Sequence, residues 1–350
     1  ERTMKSLISH SAGSRCIRGS RTALAGFVTA SLLLSLAACG SSGATSASSG
    51  TTTITIAEPI HAVSYLPLYA AIDTGAFKKQ GIVVKTSTLT GGAHVNAVLN
   101  NSAWAFIGGP ESGAIANAKG ADLVAIGDVV SRATVYWAAS PSSGVTASNL
   151  ASSLKGKRLA VGRHGGSPEV ITQYELKKLG LDPDKDVTLV NNDVSGSELS
   201  LVKSGQADVA VTMEPVLSQG IDQGIWGDPI LNAPKDLGEY PYSAIVTSQL
   251  NADKNPTFTR EFLKALQEGM DIVTKNHDKA IEIAQKEFPS MSKATIKKTL
   301  DRGYDDDWWS GMSISDDAEE LNLTVARNSG SLKDNGKITA KTILDLKYLP

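Results

Sequence analysis

Glycine, serine and proline stand together where this chain is predicted to change from a strand to a helix. The run Gly165-Gly166-Ser167-Pro168 follows an apolar strand predicted over 158–161. Glycines let the backbone approach a bound group closely, Ser167 can cap a helix, and Pro168 suits the first helical turn. The unpaired N–H groups of such a helix start can bind an anion or another hydrogen-bond acceptor. Gly166 and Ser167 are therefore candidate ligand-binding residues, although an ordinary helix start capped by Ser167 is equally compatible with the run alone.

Two earlier turns repeat this composition. Gly91-Gly92 precedes a predicted helix, and Gly109-Pro110-Glu111-Ser112 follows a predicted strand. Both are simple tight turns on one interpretation and ligand contacts on the other. On the second interpretation Gly92, Pro110, Glu111 and Ser112 join the candidates.

Two carboxylates lie at the ends of predicted strands. Glu58 ends the strand that begins at 54, and Glu214 follows a strand over 209–212. Ligands of α/β sheets bind beyond the carboxyl ends of strands, so either side chain could accept hydrogen bonds from a ligand amine or amide. The alternative is a salt bridge between lobes or a hinge cap. We favour ligand contact for Glu214 over Glu58.

Aromatic and basic side chains offer further contacts. Tyr65 begins the first predicted helix and Tyr242 lies at a predicted crossing between lobes, so either could stack on a planar ligand. By alternation only one of Tyr136 and Trp137 can face a cleft, and strand aromatics are more often core. Arg163 lies just before the glycines and could supply positive charge, although loop arginines are usually exposed to solvent.

The strands and helices that must position these residues alternate along the chain. A strand over 54–57 leads to a helix over 65–80, and similar units continue to a strand ending at 139. After a second series of units, a strand over 243–247 precedes a mostly helical part. Such alternation predicts an α/β fold. We predict two α/β lobes joined by two crossing strands, with 54–139 plus 243–350 as lobe 1 and 140–242 as lobe 2.

Cys39 ends an apolar run that follows a basic leader. The run 23–38 is shorter than the roughly 20 residues that cross a bilayer as a helix. This pattern resembles a bacterial lipoprotein signal. It predicts a signal peptide over 1–38, a lipidated Cys39 and a flexible tether over 39–53. The alternative is an uncleaved anchor helix with an incidental cysteine.

The charge after that leader is acidic. The whole chain has 34 basic and 36 acidic residues, and 1–38 holds five of the basic and one of the acidic ones, so 39–350 carries a net charge of −6. Nucleic acid demands a basic stripe, which argues against it as a partner. No cysteine follows Cys39 and the histidines lack metal-ligand spacing, so we expect no disulfide, no metal and no cofactor.

Several segments together resemble one family of receptors of ABC importers, the sulfonate/nitrate/taurine and thiamin-pyrimidine type. The resemblance covers about 54–350, and its order and spacing are more specific than any single motif. Its segments are Tyr65-Leu66-Pro67-Leu68-Tyr69, Gly75-Ala76-Phe77-Lys78-Lys79-Gln80-Gly81, Gly91-Gly92, Ile107-Gly108-Gly109-Pro110, Leu154-Lys155-Gly156-Lys157, Gly165-Gly166-Ser167-Pro168, Gly180-Leu181-Asp182-Pro183, Ser204-Gly205-Gln206-Ala207-Asp208 and Glu214-Pro215.

The resemblance implies a type II periplasmic-binding-protein fold that holds a small solute between hinged lobes. It implies an extracytoplasmic, lipid-anchored and monomeric substrate-binding component that delivers its solute to a permease with its ATPase. Aliphatic sulfonates, taurine or nitrate are the first expectation for the solute, and a pyrimidine precursor of thiamin or another heterocycle is the alternative. A sensor lipoprotein would use the same fold.

An enzyme is the least favoured alternative. A fungal thiamin-pyrimidine synthase shares this fold but carries a Cys-rich motif, which is absent after Cys39. The sequence also lacks the Gly-x-Ser-x-Gly, His-Glu-x-x-His and phosphate-loop signatures. We therefore expect no catalytic residues.

Overall fold

The computed structural model describes residues 50–350. Cys39, the predicted signal peptide over 1–38 and most of the predicted tether lie outside the described residues. The first strand begins at Thr52, so the last two residues expected in the tether, Thr52 and Thr53, belong to a sheet.

Ten strands and fifteen α-helices form the described part of the chain. The strands are β1 (Thr52–Glu58), β2 (Ile82–Thr88), β3 (Ala105–Gly108), β4 (Leu123–Val130), β5 (Tyr136–Ala139), β6 (Arg158–Gly162), β7 (Thr188–Asn191), β8 (Val209–Thr212), β9 (Leu231–Asn232) and β10 (Ser243–Ser248). The helices are α1 (Leu66–Asp73), α2 (Ala76–Lys79), α3 (Ala93–Leu99), α4 (Pro110–Asn117), α5 (Leu150–Ser153), α6 (Ser167–Lys178), α7 (Ser197–Lys203), α8 (Val216–Asp222), α9 (Ala233–Leu237), α10 (Gln249–Lys254), α11 (Pro256–Lys275), α12 (His277–Glu287), α13 (Lys293–Asp305), α14 (Asp316–Asn328) and α15 (Ala340–Ile343).

The strands form two five-stranded sheets with the same layout. The first sheet has the order β2-β1-β3-β10-β4, and the second has the order β7-β6-β8-β5-β9. In each sheet three neighbouring strands are parallel, and the fourth strand, β10 or β5, is antiparallel to both of its neighbours. Helices connect the parallel strands, as crossover connections require.

The strand β5 lies in the second sheet, although residues up to 139 were expected in lobe 1. Tyr136 to Ala139 pair with Val209 to Thr212 of β8. The chain therefore crosses between lobes before Tyr136, and it returns at β10, which pairs with β3 and β4 as expected.

The helix predicted over 65–80 is divided in two. Gly75 adopts φ 75°, a left-handed conformation that ends α1 and starts α2, and which glycine adopts without strain. The long helix α11 starts at Pro256 and is capped by the side chain of Asn255, which accepts a hydrogen bond from the Phe258 N–H. Its buried apolar face packs on α1 of the first lobe.

The helix α14 packs against both lobes. It contacts α4 of the first lobe and α6 of the second, with Leu323 packed beside the first and Val325 beside the second. The segment 243–350, expected wholly in lobe 1, therefore also covers part of lobe 2.

None of the helices within 50–350 combines the length and apolar character needed to span a membrane.

Candidate functional site

Strands of both sheets end at one cleft between the lobes. The residues that follow β1, β3, β6 and β8 line a cavity of about 370 Å³, which we call the main chamber, around Ser112, Ser167 and Asn192. An adjoining cavity of about 210 Å³, the side chamber, lies around Val216, Phe288 and Met291. The residues that line both chambers are Ile60, His61, Ala62, Ser64, Ser195, Glu198 and Met213. The two chambers thus form one continuous cleft.

Seven of the nine predicted ligand-binding residues line this cleft. The main chamber is lined by Tyr65, Glu111, Ser112, Gly166, Ser167 and Tyr242, and the side chamber by Glu214. Gly92 and Pro110 line neither chamber, whereas their neighbours Gly91 and Gly109 do. Gly92 is the cap residue of α3 and Pro110 is buried in the first turn of α4, so the preceding glycine reaches the cleft in each case. Contact of these residues with a ligand stays a prediction.

The start of α4 is occupied by the carboxylate of Glu111. Its Oε1 accepts a hydrogen bond from Ser167 Oγ of the second lobe at 3.1 Å, and its Oε2 accepts one from Asn322 Nδ2 of α14 at 3.0 Å. The carboxylate lies against Gly109, where a Cβ atom would overlap it. Burial raises the pKa of Glu111. Glu111 therefore links the two lobes and α14.

The start of α6 carries a second acid, Glu169. Its Oε2 accepts a hydrogen bond from the Gly165 N–H at 2.6 Å, and its Oε1 accepts one from Asn191 Nδ2 at 2.9 Å. Burial opposes ionisation of Glu169, but these hydrogen bonds and His164 outweigh it and lower the pKa of the carboxyl. The cap residue is Gly166, not Ser167 as predicted, because the Ser167 hydroxyl points across the cleft to Glu111.

The start of α7 carries a third acid, Glu198, which was not predicted from the sequence. Glu198 is buried, lines both chambers and accepts a hydrogen bond from Thr212 Oγ1 at 2.7 Å. Burial raises its pKa, against the opposing effect of Thr212 and of the N–H groups of Gly196 and of Glu198 itself. Glu198 lies two residues after Gly196, just as Glu111 lies two residues after Gly109. This shared spacing is the sequence signal from which Glu198 could have been predicted.

Two uncharged polar groups in the main chamber have no internal partner. His94 Nδ1 and Asn192 Nδ2 are buried, and within residues 50–350 neither has a hydrogen-bond partner. Burial lowers the pKa of His94 to about 4, so its imidazole is neutral at pH 7. Buried polar groups are nearly always paired, which marks these two as atoms for a ligand to satisfy. Neither residue was predicted from the sequence.

The two carboxylates at the strand ends have internal partners. Glu58 accepts hydrogen bonds from Tyr69 at 2.6 Å and Thr88 at 2.8 Å, and lies 3.0 Å from His61 Nδ1. Glu214 accepts one from Arg302 Nε at 2.9 Å and one from Ser218 Oγ at 2.8 Å. Glu214 is thus engaged in an ion pair with α13. This arrangement favours the salt-bridge alternative over the ligand contact that we preferred for Glu214.

Some of the aromatic candidates line the cleft, and the others are buried in the protein core. Tyr65 and Tyr242 line the main chamber. Tyr136 and Trp137 are fully buried and line neither chamber.

Arg163 is the only Arg or Lys that lines a chamber within 50–350, and it is exposed. In the same part of the chain, no group of three or more His, Cys, Asp and Glu side chains is arranged to hold a metal ion.

Several known proteins are similar to this chain in sequence or in structure. "Putative binding protein YtlA" of Bacillus subtilis (strain 168) is 28% identical over 284 residues, which are 80% of this chain and 84% of that protein. The alkanesulfonate-binding protein SsuA from Xanthomonas axonopodis pv. citri, bound to MOPS, superposes with a TM-score of 0.67 at 16% identity, over 84% of this chain and 98% of its own. The periplasmic nitrate-binding protein NrtA from Synechocystis PCC 6803 superposes with a TM-score of 0.68 at 15% identity, over 85% of this chain and 87% of its own.

The structural likenesses confirm the predicted type II periplasmic-binding-protein fold. The sequence profile of one family, described as "NMT1/THI5 like", matches residues 62–280, which is more than half of the chain and includes most of the residues that line the cleft. This chain therefore belongs to the NMT1/THI5-like family.

Proposed function

We propose that this protein is the extracytoplasmic substrate-binding component of an ABC importer, which captures a small solute in the cleft and delivers it to a permease with its ATPase. The family, the two-lobed fold and the continuous cleft between the lobes support this proposal. Binding proceeds without covalent chemistry on the solute. The protein is anchored through a lipid on Cys39 and acts as a monomer.

The main chamber favours a solute that donates hydrogen bonds, such as an aminopyrimidine or another nitrogen heterocycle. The observation that carries this choice is that two helices begin at the main chamber beside a glutamate that lines it, α4 beside Glu111 and α7 beside Glu198. An anionic ligand would enter beside these acids, whereas ring N–H and amino groups could donate to them. Tyr65 and Tyr242 offer flat surfaces for such a ring.

Two uncharged side chains of the main chamber, His94 and Asn192, also suit a nitrogen heterocycle. A neutral His94 presents one donor and one acceptor, and the Asn192 amide presents donors to a ring nitrogen. A heterocycle with both donors and acceptors would satisfy them together. A polar group that stays unpaired on burial costs about 1–3 kcal/mol, so pairing these two groups contributes to selectivity.

Sulfonates remain the second candidate because of one residue. Arg163 lies at the rim of the main chamber beside the glycines of the α6 start, where it could pair with a sulfonate. The likeness to the alkanesulfonate-binding protein SsuA agrees with this candidate. The sulfonate is the weaker candidate, because Arg163 is a single exposed cation in a chamber that Glu111 and Glu198 also line.

Lobe closure is the proposed step that prepares the solute for transport. The Ser167–Glu111 hydrogen bond joins the lobes across the main chamber, so a solute held there bridges the same two surfaces. A ligand shifts the lobes toward the closed form only through its higher affinity for that form. The permease would then recognise the closed form.

A melting screen of the purified protein tests the solute class. Aminopyrimidines should raise the melting temperature in a saturable manner, whereas taurine, nitrate and alkanesulfonates should not. Stabilisation by sulfonates alone would overturn the heterocycle assignment. Recovery of the bound solute unchanged, by mass spectrometry, tests the absence of turnover.

Uptake measurements test the transport role. Deletion of the gene should abolish uptake of the stabilising solute, and re-expression should restore it. Normal uptake combined with a lost transcriptional response would instead indicate a sensor lipoprotein.

A further inference from the structure

The side chamber, which is continuous with the main chamber, has a mostly apolar wall. Its walls include Val63, Val216, Phe288, Met291 and Trp308, from both lobes. Apolar side chains therefore form most of its surface.

The strongly polar groups of the side chamber are already paired within the chain. Glu214 is held by Arg302 and Ser218, and the Trp308 indole N–H donates to Tyr136 at 3.0 Å. His61 lies 3.0 Å from Glu58 and 3.4 Å from Glu287. These pairings leave hydrocarbon as the main surface that a ligand could contact.

The unpaired polar atoms lie on the other side of the cleft. His94 Nδ1 and Asn192 Nδ2 belong to the main chamber and not to the side chamber. Glu198 lines both chambers and so stands at their junction. Within the described part of the cleft, the buried side-chain atoms that lack a partner thus belong to the main chamber alone.

We propose that the solute is bipartite, with a hydrogen-bonding head in the main chamber and an apolar substituent that passes His61 and Met213 into the side chamber. This inference rests on the proposed function and names the solute more closely. An apolar cavity of about 150 Å³ holds benzene, so a side chamber of about 210 Å³ has room for a phenyl ring or a branched alkyl group of similar size.

Calorimetric titration with two matched pairs of probes tests the proposal. The first pair is 4-aminopyrimidine and 5-benzyl-4-aminopyrimidine, and the second is methanesulfonate and phenylmethanesulfonate. Burial of the phenyl ring should tighten binding at least about tenfold within the pair whose head group the protein accepts.

Variants assign this gain to the side chamber. Met291→Trp fills the chamber from the first lobe and Val216→Phe from the second, and each should reduce the gain to about twofold or less. Leu250→Trp, at an exposed position outside both chambers, should keep it. If one variant fails to fold, the other provides the test.

The outcomes separate this inference from the proposed solute class. A benzyl gain in the sulfonate pair alone would overturn the heterocycle head and support the side chamber. Binding of 4-aminopyrimidine with no gain from the benzyl group would support the head and overturn the bipartite solute. A gain that persists in both filling variants, or no binding of any probe, would also overturn it.

Discussion

Two helix starts, those of α4 and α6, face each other across the cleft and are built from nearly the same residues. Each has a glycine cap in an extended conformation, Gly109 with φ −63° and Gly166 with φ −77°. Each has a proline and a glutamate in its first turn. Local chemistry therefore gives both the same conformation.

The glutamates of these two helix starts nevertheless do different things. Glu111 reaches Ser167 of the other lobe and Asn322 of α14, whereas Glu169 turns back to Gly165 and Asn191 of its own lobe. The first links the lobes and the second stabilises a loop. Similar local sequences thus acquire different roles because their tertiary neighbours differ.

The largest expected effect comes from blocking the space between the two helix starts. Ser167→Trp would place an indole between α6 and Glu111, so it should abolish the rise in melting temperature that the true ligand causes while leaving the fold intact. Circular dichroism and a melting titration measure both effects. Ser152→Trp, at an exposed position on α5, is the matched control and should respond to the ligand like the wild type. An unchanged ligand response in Ser167→Trp would contradict the site.

Alanine substitution of the cap glycine should cost more stability at the start of α4 than at the start of α6. Gly109→Ala puts a Cβ where the Glu111 carboxylate lies and should break its buried hydrogen bonds, at a cost of about 2–4 kcal/mol in the free energy of unfolding. In Gly166→Ala the nearest atom to the added Cβ is the Arg163 carbonyl oxygen at 3.0 Å, so this substitution should cost about 1 kcal/mol or less. Urea unfolding measures the difference, and equal costs would show that Glu111 adjusts freely.

The two glutamates should give opposite pH dependences. The pKa of Glu111 is raised in the folded state, so its contribution to stability is complete below about pH 4.5 and is lost as the pH rises through the folded pKa. The pKa of Glu169 is lowered, so its contribution is present above that pH and is lost as the pH falls. Relative to wild type, Glu111→Gln should gain stability with rising pH and Glu169→Gln with falling pH.

Unfolding by urea at intervals from pH 3.5 to pH 8 measures these slopes. Parallel curves for the two variants would contradict the assignment of different roles.

The smallest effect is expected from removing one hydroxyl. Ser167→Ala deletes the hydrogen bond to Glu111 Oε1 and should lower the free energy of unfolding by about 1 kcal/mol. In a double-mutant cycle with Glu111→Ala the two costs should not add, because each substitution removes the same hydrogen bond. Strict additivity would show that the bond between the lobes is not formed in solution.

The elements of the fold were largely predictable because their signals are local. The strand predicted over 209–212 agrees with β8, and the strand predicted over 158–161 lies within β6. The sequence does not show which sheet β5 joins, since the apolar run of this strand fits the interior of either sheet. Its partners β8 and β9 begin more than 70 residues later, and only their approach decides the pairing.

The candidate site was predictable where glycines and caps mark helix starts, as at Gly166 and Ser112. His94 and Asn192 were not predicted as site residues, because a single polar residue in a helix or a loop produces no periodic pattern in the sequence. The ion pair of Glu214 was proposed only as an alternative, because the sequence does not show that Arg302 faces it.

By itself the sequence determined two alternating α/β series, the glycine-capped helix starts and the acids in their first turns, since these depend on residues within a few positions of one another. Only the tertiary structure decided which acid joins the lobes and which chamber holds the unpaired polar atoms. The physical reason is that hydrogen bonds act over about 3 Å, while Glu111 finds its partners 56 and 211 residues away along the chain.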